Sequence, residues 1–237
     1  MNILFIRGYA TDMNTNYACK YTYSNFDNFF MMSSYKLEYF NYSPEEDLST
    51  VYARLCEKLE NNLFDVLMGH STGGGLLLKF LNEHKDYVDC ISKTNKKIIF
   101  LMPLIERHLP IDILAKIPFV PQIYFPKFLS SPNNQLYDDG NILNDDFYPI
   151  HNKQIGTMYN EYIDKMDLSI IDHECCHMIY AKNELFNVIL PQTLNKIKNK
   201  TILEGKHQMF MEANHSTKFF QTLKSLLEKP NATSQVI

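Results

Sequence analysis

Two short patterns in this 237-residue chain could carry chemistry. Gly69-His70-Ser71-Thr72-Gly73 fits G-x-S-x-G, and His173-Glu174-Cys175-Cys176-His177 fits H-E-x-x-H. The first would hold a serine hydroxyl clear of a sheet, on a strand-to-helix turn so tight that its neighbours must be small. The turn would also place the serine at a helix N-terminus, where the backbone dipoles favour developing negative charge. The second would set two imidazoles on one face of a helix to bind zinc, with the Glu activating a metal-bound water. Patterns this short also arise by chance, so their surroundings must separate them.

The surroundings favour the serine. Residues 64–68 form a short, continuously apolar run, as a strand buried on both faces should. The run Gly75-Leu76-Leu77-Leu78-Lys79-Phe80-Leu81 after the motif reads as a helix. The H-E-x-x-H residues lead instead into Met178-Ile179-Tyr180, which reads as strand. On a strand, His173 and His177 would share a face but stand too far apart to chelate one ion. Tyr180 and Asn183 occupy the positions where an extended zinc motif would carry Gly and His, leaving Glu204 as the conceivable third ligand. A zinc peptidase is kept as the minor reading, and the main reading needs no metal and no cofactor.

The rest of the chain supplies elements to position such a serine. Strands are expected at 3–7, 36–42, 64–68, 97–102, 174–181 and 200–204. Helices are expected inside 16–32, from Ser43-Pro44-Glu45-Glu46 to about residue 61, after the serine motif, near 152–166 (a polar one), after Leu185, and over 212–228. Strands alternating with helices imply an α/β fold, a mostly parallel central sheet flanked by helices. Reactive groups in such sheets sit on loops at the carboxyl ends of the strands. The eight glycines are sparse, and four of them are Gly69, Gly73, Gly74 and Gly75, so each is read as serving the backbone.

Composition narrows the function classes. With 23 basic against 27 acidic residues, a net charge of −4 gives no electrostatic reason to expect nucleic acid. No apolar run approaches the roughly 20 residues that span a bilayer, so stable membrane insertion is not expected. The start, Met1-Asn2-Ile3-Leu4-Phe5-Ile6, lacks a basic region and a cleavage site and reads as a buried strand. Five cysteines at irregular spacing are read as reduced thiols, which points to a cytoplasmic protein. Seven of the ten prolines fall between Pro103 and Pro149, marking one irregular region.

Taken together, the chain resembles an α/β-hydrolase of the serine esterase and lipase kind. The resemblance rests on Arg7-Gly8-Tyr9 after the first strand, on Ser71, and on a late acid followed by a late histidine. It implies a nucleophile, acid, histidine order. Glu184, in Ala181-Lys182-Asn183-Glu184-Leu185, falls on the acid position, and His207, in Glu204-Gly205-Lys206-His207, on that of the base. Glu106, just past strand 97–102, is the alternative acid. The backbone N–H groups of Tyr9 and Thr72 would form the oxyanion hole. Residues 1–103 and 166–230 would form the core, 104–165 a cap or lid insertion, and 231–237 a flexible tail. Three departures stand out: Arg7 where His is common, Glu184 where Asp is common, and Ala181 where Gly is usual.

The activity this implies is hydrolysis of a carboxylic ester with an apolar or small acyl group, through a Ser-His-Glu triad and an acyl-enzyme, with a small acyl compound as partner. A thioesterase, amidase or peptidase, or a lyase would use the same fold. A ligand-binding hydrolase fold without turnover is the reading from a different class. The cap segment contains Ile105, Leu109, Ile111, Leu114, Phe119 and Phe125, which either pack on the sheet or line an apolar pocket.

Overall fold

The computed structural model describes residues 1–8, 23–43, 46–94, 96–107, 122–126, 147–151, 156–212 and 214–228. Six strands form one parallel sheet in the order β2-β1-β3-β4-β7-β8: β1 (Asn2–Ile6), β2 (Lys36–Phe40), β3 (Val66–His70), β4 (Lys97–Leu101), β7 (Cys176–Ala181) and β8 (Lys200–Leu203). Two more, β5 (Gln122–Pro126) and β6 (Phe147–His151), pair antiparallel within the 104–165 segment. The expected α/β architecture with a mostly parallel sheet is the one observed.

The strands are apolar on both faces because helices cover both. On β1, Leu4 and Ile6 belong to a core shared with α2 (Leu48–Asn61) and α3 (Thr72–Glu83), while Ile3 and Phe5 face a second core. That second core holds Phe26 of α1 (Ser24–Met31) and Phe219, Leu223 and Leu227 of α6 (Ser216–Glu228). Its centre is aromatic: the Phe26 ring lies edge-on to Phe210 at 5.0 Å and to Phe219 at 5.6 Å, an arrangement that adds to the gain from burial itself.

Several boundaries differ from the expected ones. The helix expected from Ser43 begins at Leu48, because Asp47 caps it by accepting from the Ser49 N–H at 3.2 Å. Its apolar residues Leu48, Val51, Leu55 and Leu59 are all buried, as their spacing requires. A further helix, α4 (Lys85–Lys93), follows α3 and buries Val88 and Ile91. The helix expected after Leu185 starts later, as α5 (Pro191–Lys196), with Pro at its first position. The segment read as a polar helix near 152–166 winds as a π-helical stretch over Met158–Tyr162 and buries Met158, Tyr159, Tyr162 and Ile163. Of that expected helix, 152–155 lie outside the described residues, as do most of the cap, the tail 231–237 and the 16–22 part of the first expected helix. Among the described residues, no helix is long and apolar enough to cross a membrane.

Chain order changes direction between β1 and β3. β1 pairs with β2 on one side and β3 on the other, so the connections leaving β1 and β3 run in opposite directions across the sheet. In parallel sheets, ligands bind at the carboxyl ends of such a pair. Gly8 follows β1 and Ser71 follows β3, which puts both at those carboxyl ends.

Candidate active site

Ser71 sits between β3 and α3 with φ of 54° and ψ of −123°, a backbone conformation that a non-glycine residue rarely adopts. The fold holds it there from both sides. The Ser71 N–H donates to the Leu101 carbonyl at 3.0 Å, and the Ser71 carbonyl accepts from Leu104 N at 2.9 Å. The turn closes because its neighbours lack side chains: a Cβ on Gly73 would lie 2.3 Å from the carbonyl oxygens of Ile6 and Arg7. Thr72 opens α3, where first-turn N–H groups have no partner within the helix and point outward. Tyr9, the other expected oxyanion donor, lies outside the described residues.

Glu184 follows β7 and is held by its own loop. Its Oε1 accepts three backbone N–H groups, from Leu185 at 3.0 Å, Phe186 at 2.7 Å and Asn187 at 3.2 Å. Its Oε2 meets His207 Nδ1 at 2.8 Å. Burial disfavours the charge, but the His207 ring and these N–H groups outweigh it and hold the carboxyl below its ordinary value. A carboxylate can only accept, so His207 Nδ1 carries a proton towards it, which leaves Nε2 as the nitrogen available to take one from another group. The structure therefore brings Glu184 to His207. It does not bring Glu106 there: that carboxylate accepts from Leu190 N at 2.6 Å and Thr193 Oγ1 at 2.7 Å, capping α5.

The loop after β8 places His207. Gly205 has a φ of +132°, a region that disfavours side chains, and a Cβ there would meet the Met209 side chain at 2.6 Å. Buried Glu212 ties the loop down by accepting from Lys206 N at 3.0 Å and by pairing with His215. The His207 ring packs 5.4 Å from the half-buried Phe186 ring and 4.8 Å from the His70 ring, measured between centroids.

Three residues outside the proposed catalytic set hold these parts together. Tyr23 Oη accepts from Gly8 N at 3.0 Å and donates to His70 Nδ1 at 2.7 Å, because the His207 carbonyl can only accept and so puts the proton of the neutral His70 ring on Nε2. His70 Nε2 then donates to the His207 carbonyl at 3.4 Å. Burial, then the neighbouring His207 ring, push His70 well below its ordinary value, so it stays neutral. This relay ties Gly8, the serine turn and the base loop together. Asn187 is the third: its Nδ2 donates to Ser71 Oγ at 3.0 Å and to the Met102 carbonyl at 2.7 Å. Among the described residues, Asn187 is the one hydrogen-bond partner of Ser71 Oγ. Arg7 is buried, its guanidinium 4.5 Å from the Tyr23 ring and 4.8 Å from the Tyr39 ring, and it donates to Asn41 Oδ1 at 3.1 Å. In the place where His is common, it works as packing.

Among the described residues, the H-E-x-x-H side chains join no group that could hold a metal ion. The segment enters β7 and is not a helix; Glu174 accepts from Ser92, His177 Nε2 meets Thr201 Oγ1 at 2.8 Å, and His173 Nδ1 lies 3.2 Å from Cys175 Sγ. Glu204 pairs with Lys182 instead.

Neither a protein-family model nor a curated protein matches the chain by sequence. Solved structures do match, over nearly its whole length. A pyrethroid hydrolase from Sphingobium faniae JZ-2 superposes with a TM-score of 0.62 at 12% identity, covering 97% of this chain and 98% of that one. The chain has the α/β-hydrolase fold. A monoacylglycerol lipase from Paleococcus ferrophilus matches with a TM-score of 0.53 at 14% identity, over 95% and 93% of the two chains. Est1E from Butyrivibrio proteoclasticus, solved with ferulic acid bound, matches at 0.52 and 10% identity, over 95% and 87%. At these identities the likeness is one of fold alone, the α/β-hydrolase fold.

Proposed function

We propose that the protein is a serine hydrolase that cleaves a carboxylic ester of an apolar or small acyl group through Ser71, His207 and Glu184. The observation that carries this is the buried Glu184–His207 pair on loops adjoining a serine held at φ 54° on the same edge of one sheet. A serine alone is a weak nucleophile and needs a base. In the reaction, the Ser71 hydroxyl attacks the ester carbonyl as its proton passes to His207 Nε2, and Glu184 stabilises the imidazolium that forms. The carbonyl oxygen gathers negative charge and receives N–H groups from Thr72 and Tyr9. His207 returns the proton to the departing alcohol. Water then adds to the acyl-enzyme with His207 again the base, and the carboxylic acid leaves.

The surroundings support an apolar substrate. The loop carrying Glu184 presents Phe186 beside the His207 ring, with Leu185 and Leu190 exposed on the same segment. Est1E, with its ferulic acid, supports a small acyl compound as ligand. The test is hydrolysis of p-nitrophenyl esters of increasing chain length by the wild type, S71A and H207A, with and without a chelator. Turnover that resists chelation and is lost in both variants supports the proposal. Turnover retained in S71A refutes it.

A further inference from the structure

We infer that Asn187 is an additional catalytic residue, donating a hydrogen bond to Ser71 Oγ that favours departure of the serine from the acyl-enzyme. The inference rests on the proposed role of Ser71 as nucleophile. Its basis is geometry that sequence spacing does not explain.

The orientation of the Asn187 amide follows from its partners. The Met102 carbonyl, 2.7 Å away, can only accept, so the amide nitrogen and not the oxygen must face it. The same nitrogen lies 3.0 Å from Ser71 Oγ, so its second proton points at the serine. Met102 itself has a φ of 40°, an uncommon conformation for a side-chain-bearing residue, and it is this turn that carries the carbonyl. Asn187 is held at its other groups too. Its N–H donates to Glu184 Oε1 at 3.2 Å, and its carbonyl accepts from Tyr180 Oη at 3.1 Å. It is buried, with a relative exposure of 6%. One residue thus touches the nucleophile with its side chain and the acid with its backbone.

The four directions around a tetrahedral serine oxygen can then be assigned. One is the bond to Cβ, one lone pair accepts from Asn187, and the O–H and the remaining lone pair are left for His207 and for the substrate carbonyl. Asn187 therefore orients the hydroxyl in the free enzyme.

The energetic consequence differs between the two half-reactions. The Asn187 bond is available to the free hydroxyl and also to the transition states in which Oγ carries partial charge. In the acyl-enzyme Oγ is an ester oxygen, a poor acceptor, so the bond is weakest in that ground state. Losing it raises the free enzyme and the acylation transition state together, which leaves acylation nearly unchanged. For deacylation it raises the transition state alone. In that step water adds to the acyl carbon, the C–Oγ bond breaks, and His207 passes the water-derived proton to Oγ. The free serine and a carboxylic acid result.

The test uses p-nitrophenyl acetate with the wild type, N187A, N187L and S71A, each checked for its thermal transition. The predicted result is a p-nitrophenol burst of near wild-type rate in the Asn187 variants, followed by acyl-enzyme decay slower by about tenfold. kcat and KM then fall together while kcat/KM changes less than about threefold. A merely structural role would lower kcat/KM as well. Equal losses in both steps, or decay at the wild-type rate, overturn the inference. The wild type gives an independent reading, should both variants unfold: by NMR, one Asn187 side-chain amide proton should move upfield when Ser71 is acylated while its partner on Met102 stays. If neither moves, the inference fails. A burst and turnover that persist in S71A refute the function itself, an outcome distinct from all of these.

Discussion

Glu184 and His207 form a pair in which every acceptor position of consequence on the acid is taken: Oε2 by His207 Nδ1 at 2.8 Å, and Oε1 by three consecutive backbone N–H groups. The carboxylate cannot rotate without breaking all of them, and only 1% of its side-chain surface is exposed. Glu184 therefore fixes one tautomer of the imidazole and holds a negative charge next to it. Its extra methylene, compared with the more usual Asp, is accommodated by the tight wrap of residues 185–187 around Oε1.

E184Q keeps the shape but presents an amide, so the ring loses both its tautomer control and its stabilising charge. Ester turnover should fall by about 10³–10⁴-fold, by analogy with the same change in other triads, with the fold intact by circular dichroism. The pH dependence of stability also has a definite sign. Because the folded-state value of Glu184 lies below its ordinary 4.5, the pair stabilises the protein above that pH and the contribution disappears as pH falls through the lower folded value. Denaturant titrations between about pH 7 and pH 3 should show a shallower acid loss in E184Q than in the wild type.

Glu106 caps α5 and plays no part at His207. E106A should cost about 1 kcal/mol of stability, the usual worth of a cap, and leave ester turnover within about threefold of wild type, a small effect on a transition-state scale. Paired unfolding and activity measurements check both statements. A loss comparable to that of E184Q would return the acid role to Glu106.

Tyr23 links Gly8 to His70, and its hydroxyl is buried. Y23F removes the hydroxyl bonded to both the Gly8 N–H and His70 Nδ1. It should destabilise the protein by about 2 kcal/mol, the worth of two buried hydrogen bonds. The melting temperature should fall, and activity should fall with it because His70 also supports the His207 loop at 3.4 Å. An unchanged transition would show that the relay is not a structural element.

Ser71, Glu184 and His207 could be proposed from the sequence because each sits on a loop whose form depends on nearby residues. Gly69 and Gly73 are forced by the serine turn, and Gly205 by the φ of +132° before His207. The strands were legible for a related reason, since burial on both faces makes them continuously apolar. Asn187 and Tyr23 left no such mark. Both are ordinary residue types whose roles arise from contacts across the chain, Asn187 with a serine 116 positions away. The Met158–Tyr162 stretch reads as polar because Asn160 and Glu161 stand between Tyr159 and Tyr162, yet the π-helical winding turns Met158 and both tyrosines inward.

The most direct test of the central claim is covalent labelling of the purified protein by a fluorophosphonate, with the modified residue mapped by mass spectrometry. The expected result is one adduct, on Ser71, formed equally well with chelator present and lost in H207A. An intact, folded protein that takes up no label at Ser71 would contradict it.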